Sequence, residues 1–257
     1  MKRASPAPVV GAHVRGADPL AEAAAVGAAC VQIFLGDPQS WRKAPPRPDA
    51  AALRHSPIPV YVHAPYPINV ASPNNRVRVP SRRILLDTLE GAAEIGAAAV
   101  IVHAGHAEDG VEHGFVRWWK VFEELRPPVP LLIENTAGGV NAMGRSVETL
   151  TDLWRRLQGA PVGFCFDTCH AHAAGQDPVD MAHAARESLG GVVLVHANSS
   201  RDPFGSGRDR HANFAAGEMD PDAIARAVEA CGAAAAICET PWEGIAADVA
   251  FLRRRLV

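Results

Sequence analysis

Six short apolar runs in this chain of 257 residues each end in a residue that can bind a metal. Val60-Tyr61-Val62 runs into His63, Val100-Ile101-Val102 into His103, and Leu131-Leu132-Ile133 into Glu134. Phe164-Cys165-Phe166 runs into Asp167, Val193-Leu194-Val195 into His196, and Ala236-Ile237-Cys238 into Glu239. Successive members lie 40, 31, 33, 29 and 43 residues apart. A parallel strand with its crossover helix takes about 30 residues or more. If each run is a buried parallel strand, all six side chains emerge at C-terminal strand ends. In a (β/α)8 barrel that is the face where active sites are built. Imidazoles and carboxylates converging there predict a metal site.

Hydrophobic periodicity, caps and turn residues fill in the rest. Strands are expected at Val9–Val14, Cys30–Leu35, Val60–His63, Ala99–His103, Pro130–Glu134, Val162–Asp167, Val192–His196 and Ala235–Glu239. An Ala-rich helix opens at Asp18-Pro19 and stops near Gly27. Further helices are expected over Asp49–His55, Ser81–Ile95, Phe115–Leu125, Ser146–Leu157, Pro178–Leu189, Pro221–Ala230 and Ile245–Leu256. Strict alternation argues α/β with a parallel sheet, and eight repeats choose a closed barrel. The expectation is one (β/α)8 (TIM) barrel domain over 1–257, with the active site at the C-terminal strand ends. Two connections, Ala64–Pro80 and Ala197–Asp220, exceed the usual 2–6 residues of a βα loop and lie on the predicted active face.

Composition excludes several classes. A net charge of −3 gives no global sign of nucleic-acid binding, so any positive field must be local or come from bound cations. The five cysteines, at 30, 165, 169, 231 and 238, form no C-x-x-C pair or framework spacing, which suits reduced thiols of a cytoplasmic protein. No apolar run of about 18 residues exists, so no membrane partner is expected. The start, Met1-Lys2-Arg3-Ala4-Ser5-Pro6, lacks the apolar stretch of a signal peptide.

Three more candidates stand in loops. His170 follows Asp167 by three residues, and Asp209-Arg210-His211 sets a carboxylate and an imidazole two apart, on the same side of an extended segment. The candidate set is therefore His63, His103, Glu134, Asp167, His170, His196, Asp209, His211 and Glu239. Nine exceed the three or four ligands of one zinc ion and suit two or three ions sharing carboxylates. Imidazole with carboxylate is a zinc or manganese set. The other histidines (His13, His55, His106, His113, His172, His183) are read as structural. His13 stands apart, because it ends the first strand on the same face and is expected to touch a ligand or the substrate.

The strings Tyr61-Val62-His63-Ala64-Pro65-Tyr66-Pro67-Ile68-Asn69, Ile133-Glu134-Asn135-Thr136-Ala137-Gly138, Phe166-Asp167-Thr168-Cys169-His170 and Asp209-Arg210-His211 resemble the signature blocks of endonuclease IV, with Gly11-Ala12-His13-Val14 and Gln32-Ile33-Phe34 matching its start. This is the metal-dependent apurinic/apyrimidinic endonuclease family of DNA base-excision repair. The resemblance implies a TIM barrel with three zinc ions, manganese being an alternative at one site. His63, His103 and Glu134 would hold the first. Glu134 would be shared with the second, held also by Asp167, His196 and Glu239. His170, Asp209 and His211 would hold the third. It implies attack of a metal-activated hydroxide on the phosphorus 5′ to an abasic deoxyribose, leaving a 3′-hydroxyl and a 5′-deoxyribose phosphate. Glu134 and Glu239 are the expected catalytic residues. Tyr66, Gln39, Asn69, Arg76, Arg78 and Arg210 are the expected contacts to double-stranded DNA, bound by a monomer in the bacterial cytosol. Ser199 stands where the family has Asp, and Pro67 and Gln39 where larger or basic residues occur. A sugar isomerase or epimerase is the competing reading, since xylose-isomerase-like barrels share this metal-bearing mouth and fold alone does not fix function.

Overall fold

The computed structural model describes residues 7–256. Eight parallel strands close into a barrel: β1 (Val9–His13), β2 (Val31–Ile33), β3 (Val60–His63), β4 (Ala99–His103), β5 (Leu131–Glu134), β6 (Val162–Asp167), β7 (Leu194–His196) and β10 (Ala235–Cys238). β1 pairs with both β2 and β10, which closes the ring. The expected fold class is the observed one. Two short strands, β8 (Ser199–Ser200) and β9 (His211–Ala212), form a separate antiparallel pair inside the long loop after β7.

The helices are α1 (Pro19–Ala25), α2 (Ala50–Arg54), α3 (Asn75–Glu94), α4 (Val111–Glu124), α5 (Val147–Arg156), α6 (Thr168–Ala173), α7 (Pro178–Ser188), α8 (Pro221–Cys231) and α9 (Trp242–Arg255). Their starts are chemically marked. Asp18, Asn74, Ser146, Asp177 and Asp220 each accept a backbone N–H of the first turn, and proline opens α1, α7 and α8. No helix among the described residues is long and apolar enough to cross a membrane.

Side chains alternate faces along a strand, so each strand feeds two cores. Val100, Val102, Leu131, Ile133, Phe164, Phe166 and Val195 point outward, into the layer shared with the helices. Cys30, Ile101, Leu132, Cys165, Leu194 and Ile237, with Tyr61 beside them, fill the barrel interior. Two residues further along each strand the same inward face carries Gln32, His63, His103, Glu134, Asp167, His196 and Glu239. Register keeps these at one level: His103 pairs with Glu134 and Asp167 with His196.

Two helix starts move by four residues or more, and one helix is added. α3 starts at Asn75, six residues early, because the Asn74 side chain caps it and Pro80 is accommodated inside it. Arg76 and Arg78 therefore sit on a helix rather than a loop. α4 starts at Val111 behind Gly110, which has a positive φ and no capping side chain, so nothing in the sequence marks that turn. α6 is additional; the Asp167 carboxylate caps it.

Gly11 holds the inward β1 position below His13, where a Cβ would come 2.2 Å from the Cys30 carbonyl oxygen and 2.4 Å from its Sγ. Gly11→Ala should therefore cost on the order of 1–3 kcal/mol through overpacking, read as a lower denaturant midpoint with an unchanged m-value.

Candidate metal centre

Glu134 is the hub of the mouth. It is fully buried, yet its Oε2 lies 3.2 Å from His63 Nε2 and 3.5 Å from His103 Nε2. Its Oε1 lies 2.9 Å from His196 Nδ1 and 3.3 Å from His170 Nδ1. The Glu239 Oε2 stands 3.2 Å from His196 Nδ1 and 3.9 Å from His211 Nδ1. Asp209, delivered by the β8–β9 loop, sits 3.1 Å from both His170 Nε2 and His211 Nε2. Asp167 Oδ2 lies 3.7 Å from His211 Nε2. All nine candidates are brought together, and they fall into overlapping sets. His63, His103 and Glu134 form one; His63, His196 and Glu239 another; His103, His170 and Asp209, and Asp167, His170 and His211, two more.

Amides and carbonyls that the sequence did not single out aim these ligands. The Ala64 carbonyl lies 2.7 Å from His63 Nδ1 and the Asn135 carbonyl 2.9 Å from His170 Nδ1, leaving each Nε2 turned to the carboxylates. Asn198 donates to Asp167 Oδ2 at 2.7 Å and accepts the Glu239 N–H at 2.8 Å. The Asn135 side chain accepts the Asp167 N–H and donates to its carbonyl. Metal-bound imidazoles and carboxylates ordinarily need such partners to fix their orientation. An amide carries no ligand signal in a sequence, so only its place beside a ligand could have flagged it.

The shell is electrostatically crowded. Burial would raise the carboxylate of Glu239, but His196 and His211 outweigh it and hold the group down at about 2. Burial likewise opposes the charge on Glu134, and His196, His103 and His170 pull it well below the ordinary range. Burial should depress His211, yet Asp167, Asp209 and Glu239 lift it to about 9. His170 and His196 are lifted in the same way. Burial dominates at His13 and His103, which fall to about 3 and about 4. Burial also pushes the Cys169 thiol, beside Asp209 and His211, up to about 12. The residues fit divalent cations. His211 Nε2 is a buried atom with no hydrogen-bond partner among the described residues, 3.1 Å from Asp209 Oδ1 and 3.7 Å from Asp167 Oδ2. A nitrogen so placed between carboxylates is where a cation would sit.

A cavity of about 1020 Å³ opens over this shell, lined by His13, Gln39, Tyr66, Arg210 and a majority of the nine candidates. Tyr66 is 41% exposed and stacks on His103 at 6.1 Å. Arg15, Arg201 and Trp242 also line it and were not anticipated; Trp242 is 49% exposed at the start of α9. Other expected contacts are committed inside the protein. The Asn69 side chain is buried, donating to the His106 carbonyl at 2.9 Å and accepting from Ala71 at 3.1 Å. Arg78 donates to the carbonyls of Ser72 and Pro73 at 2.7 and 2.9 Å, closing the β3–α3 loop. Arg210 pairs with Asp202 but stays half exposed. Arg76 is exposed, with no side-chain partner among the described residues. Ser199 is buried and accepts the Met219 N–H at 3.2 Å, so its hydroxyl holds the long loop. His13 approaches Glu239 at 3.6 Å but joins none of the named donor sets, in keeping with a supporting role.

A family model described as a xylose isomerase-like TIM barrel matches residues 20–255. That description names a fold rather than a reaction, so sequence identity decides. A probable endonuclease 4 from Mycobacterium bovis is 53% identical over 249 residues, 96% of this chain and 98% of that protein. The chain belongs to the endonuclease IV family. Its members are metal-dependent, and the mouth of this barrel holds residue groups that could bind metal ions. The crystal structure of endonuclease IV from Thermus thermophilus superposes with a TM-score of 0.82 at 31% identity, covering 97% of this chain and 99% of that one. A D-tagatose 3-epimerase-like protein superposes at 0.77 with 18% identity over 96% of this chain and 97% of that one, which shows shared fold alone.

Metal uptake should release protons. In the cation-free shell His170, His196 and His211 have pKa values above the ordinary 6.5, so they hold protons at neutral pH that a cation must displace. Adding zinc to metal-free protein at pH 7 should acidify a weakly buffered solution. Binding without proton release would contradict this charge arrangement.

Proposed function

We propose that this chain is a metal-dependent apurinic/apyrimidinic endonuclease of base-excision repair. It cleaves the phosphodiester 5′ to an abasic site in double-stranded DNA, leaving a 3′-hydroxyl and a 5′-deoxyribose phosphate. Membership of the endonuclease IV family supports the activity. The observation that carries the mechanism is the set of nine donors in overlapping groups within one mouth. Three zinc ions, with manganese as an alternative at one site, match that number of donors. The set formed by His170, Asp209 and His211 exceeds the one or two ions that a sugar isomerase of this fold needs. One domain spans 1–257 and works as a monomer in the bacterial cytosol, where its DNA substrate lies.

Bound divalent ions supply Lewis acidity, lowering the pKa of water from 15.7 to about 7 and neutralising charge on phosphate oxygens. The protein's own groups orient and exclude. Glu134 turns one oxygen to His63 and His103 and the other to His196 and His170, and with them it would hold the bound ions. Glu239 borders the open cavity, and its low pKa keeps it an acceptor able to orient the attacking water. The Tyr66 phenol, raised to about 12 chiefly by burial, stays protonated, and its ring offers a stacking surface where a base is missing. Trp242 offers a second one. Gln39, Arg15, Arg201 and Arg210 stand around the same opening as contacts to the DNA strands. Arg76, free at the start of α3, is a phosphate contact.

Incision of a duplex with a single abasic site, with and without chelator and with product ends mapped, tests the reading. The expected result is chelator-sensitive cleavage with the ends named above. Sugar interconversion by the loaded protein, with no preference for abasic over intact duplex, would establish the isomerase reading instead. Glu134→Ala should lose metal and at least about 100-fold in activity, since even a ligand's supporting partner is worth 10–100-fold. His55→Ala and His183→Ala should change neither. Arg76→Ala should reduce the salt slope of duplex binding by about 0.9 and leave the melting temperature unchanged, whereas Arg78→Ala should lower the melting temperature. Tyr66→Ala and Trp242→Ala should weaken binding to abasic duplex by about 1–3 kcal/mol each, measured by fluorescence anisotropy.

A further inference from the structure

Gln32 occupies the one inward mouth position of β2, in a ring otherwise built from histidine and carboxylate. It is fully buried. Its Oε1 lies 2.8 Å from His196 Nε2, and its Nε2 lies 2.6 Å from Glu239 Oε1 and 2.8 Å from His13 Nδ1. A primary amide has one acceptor oxygen and two N–H donors. The Glu239 carboxylate can only accept, so the amide nitrogen must face it. The amide oxygen must then face His196, and it is satisfied only if His196 Nε2 carries the hydrogen. That leaves His196 Nδ1 as the coordinating atom, the one 2.9 Å from Glu134 Oε1 and 3.2 Å from Glu239 Oε2. The second amide hydrogen goes to His13 Nδ1, which holds the amide from the other side against flipping.

We propose that Gln32 is a positioning residue that selects Nδ1 as the coordinating nitrogen of His196, orients Glu239, and so sets the affinity of the cation those two share. The inference rests on the metal reading above. The set of His63, His103 and Glu134 makes no hydrogen bond with Gln32 and provides an internal control. The role belongs to the amide's two-sided hydrogen bonding, so a side chain of similar length without it cannot substitute.

The test uses the full chain and zinc alone, with no DNA. Wild type and Gln32→Met are titrated with zinc against a chromophoric chelator, and their bound metal is counted by elemental analysis. The expected result is that one class of zinc weakens by about 10–100-fold while the rest binds as in wild type, and that excess zinc restores abasic-site cleavage. Equal affinity in every class for wild type and a folded Gln32→Met would overturn the role of Gln32. A wild type that retains no zinc would overturn the metal reading itself. A second measurement needs no variant: the long-range proton–nitrogen spectrum of zinc-loaded wild type should show His196 protonated at Nε2 and coordinated through Nδ1. Coordination through Nε2 would overturn the proposal even if Gln32→Met failed to fold.

Discussion

The period of two along a β-strand, imposed on a closed barrel, is the constraint on which everything else here depends. Closure forces one face of every strand inward, and the inward face at the mouth end has no core left to fill. Gly11, Cys30, Tyr61, Ile101, Leu132, Cys165, Leu194 and Ile237 stand one layer down. Two residues later the same face must carry whatever the mouth requires. His13, Gln32, His63, His103, Glu134, Asp167, His196 and Glu239 converge because the strands converge. No loop has to find its place for these eight. A one-residue slip of any strand would turn its ligand into the helical layer and bury a charge there unpaired.

This convergence brings an electrostatic burden that the fold leaves to its ligands. Buried carboxylates and imidazoles are tolerated only when each faces an opposite charge or a hydrogen-bonding partner. Glu134 meets this through four histidines, and Asp167 through the Asn198 amide and the start of α6. Burial and attraction oppose one another residue by residue. Attraction wins at His211, and burial wins at His13 and His103. The histidines lifted above their ordinary range each face carboxylates of the mouth.

The strand ends were legible because apolar runs and ligand types are one-dimensional signals. Eight strands, their alternation with helices and all nine candidate ligands could be read that way. Other features depend on tertiary context. Pro80 closes the expected loop, yet the Asn74 cap starts the helix before it, and that places Arg76 and Arg78 on the helix. Asn69 and Arg78 are polar residues in a promising loop, but carbonyls left over by that loop's own turns claim them first. Gln32, Asn135 and Asn198 carried no assigned role because an amide announces none until its neighbours are known. Trp242 was silent for the opposite reason, since a lone aromatic at a helix start is ordinarily core.

Asp209 and His211 ride on the long loop after β7, while their partner His170 sits on the short helix that follows β6. Asp209 lies 39 positions beyond His170 in the chain. An ion held by all three would act as a cross-link across that span, much as a disulfide does, removing freedom from the loose chain more than adding contacts to the ordered one. The loop that helps to complete the mouth would then be fastened by the same ions that work in it. Catalytic readiness and loop order would thus be a single event, and a protein emptied of its metal would lose a fastening as well as a reagent.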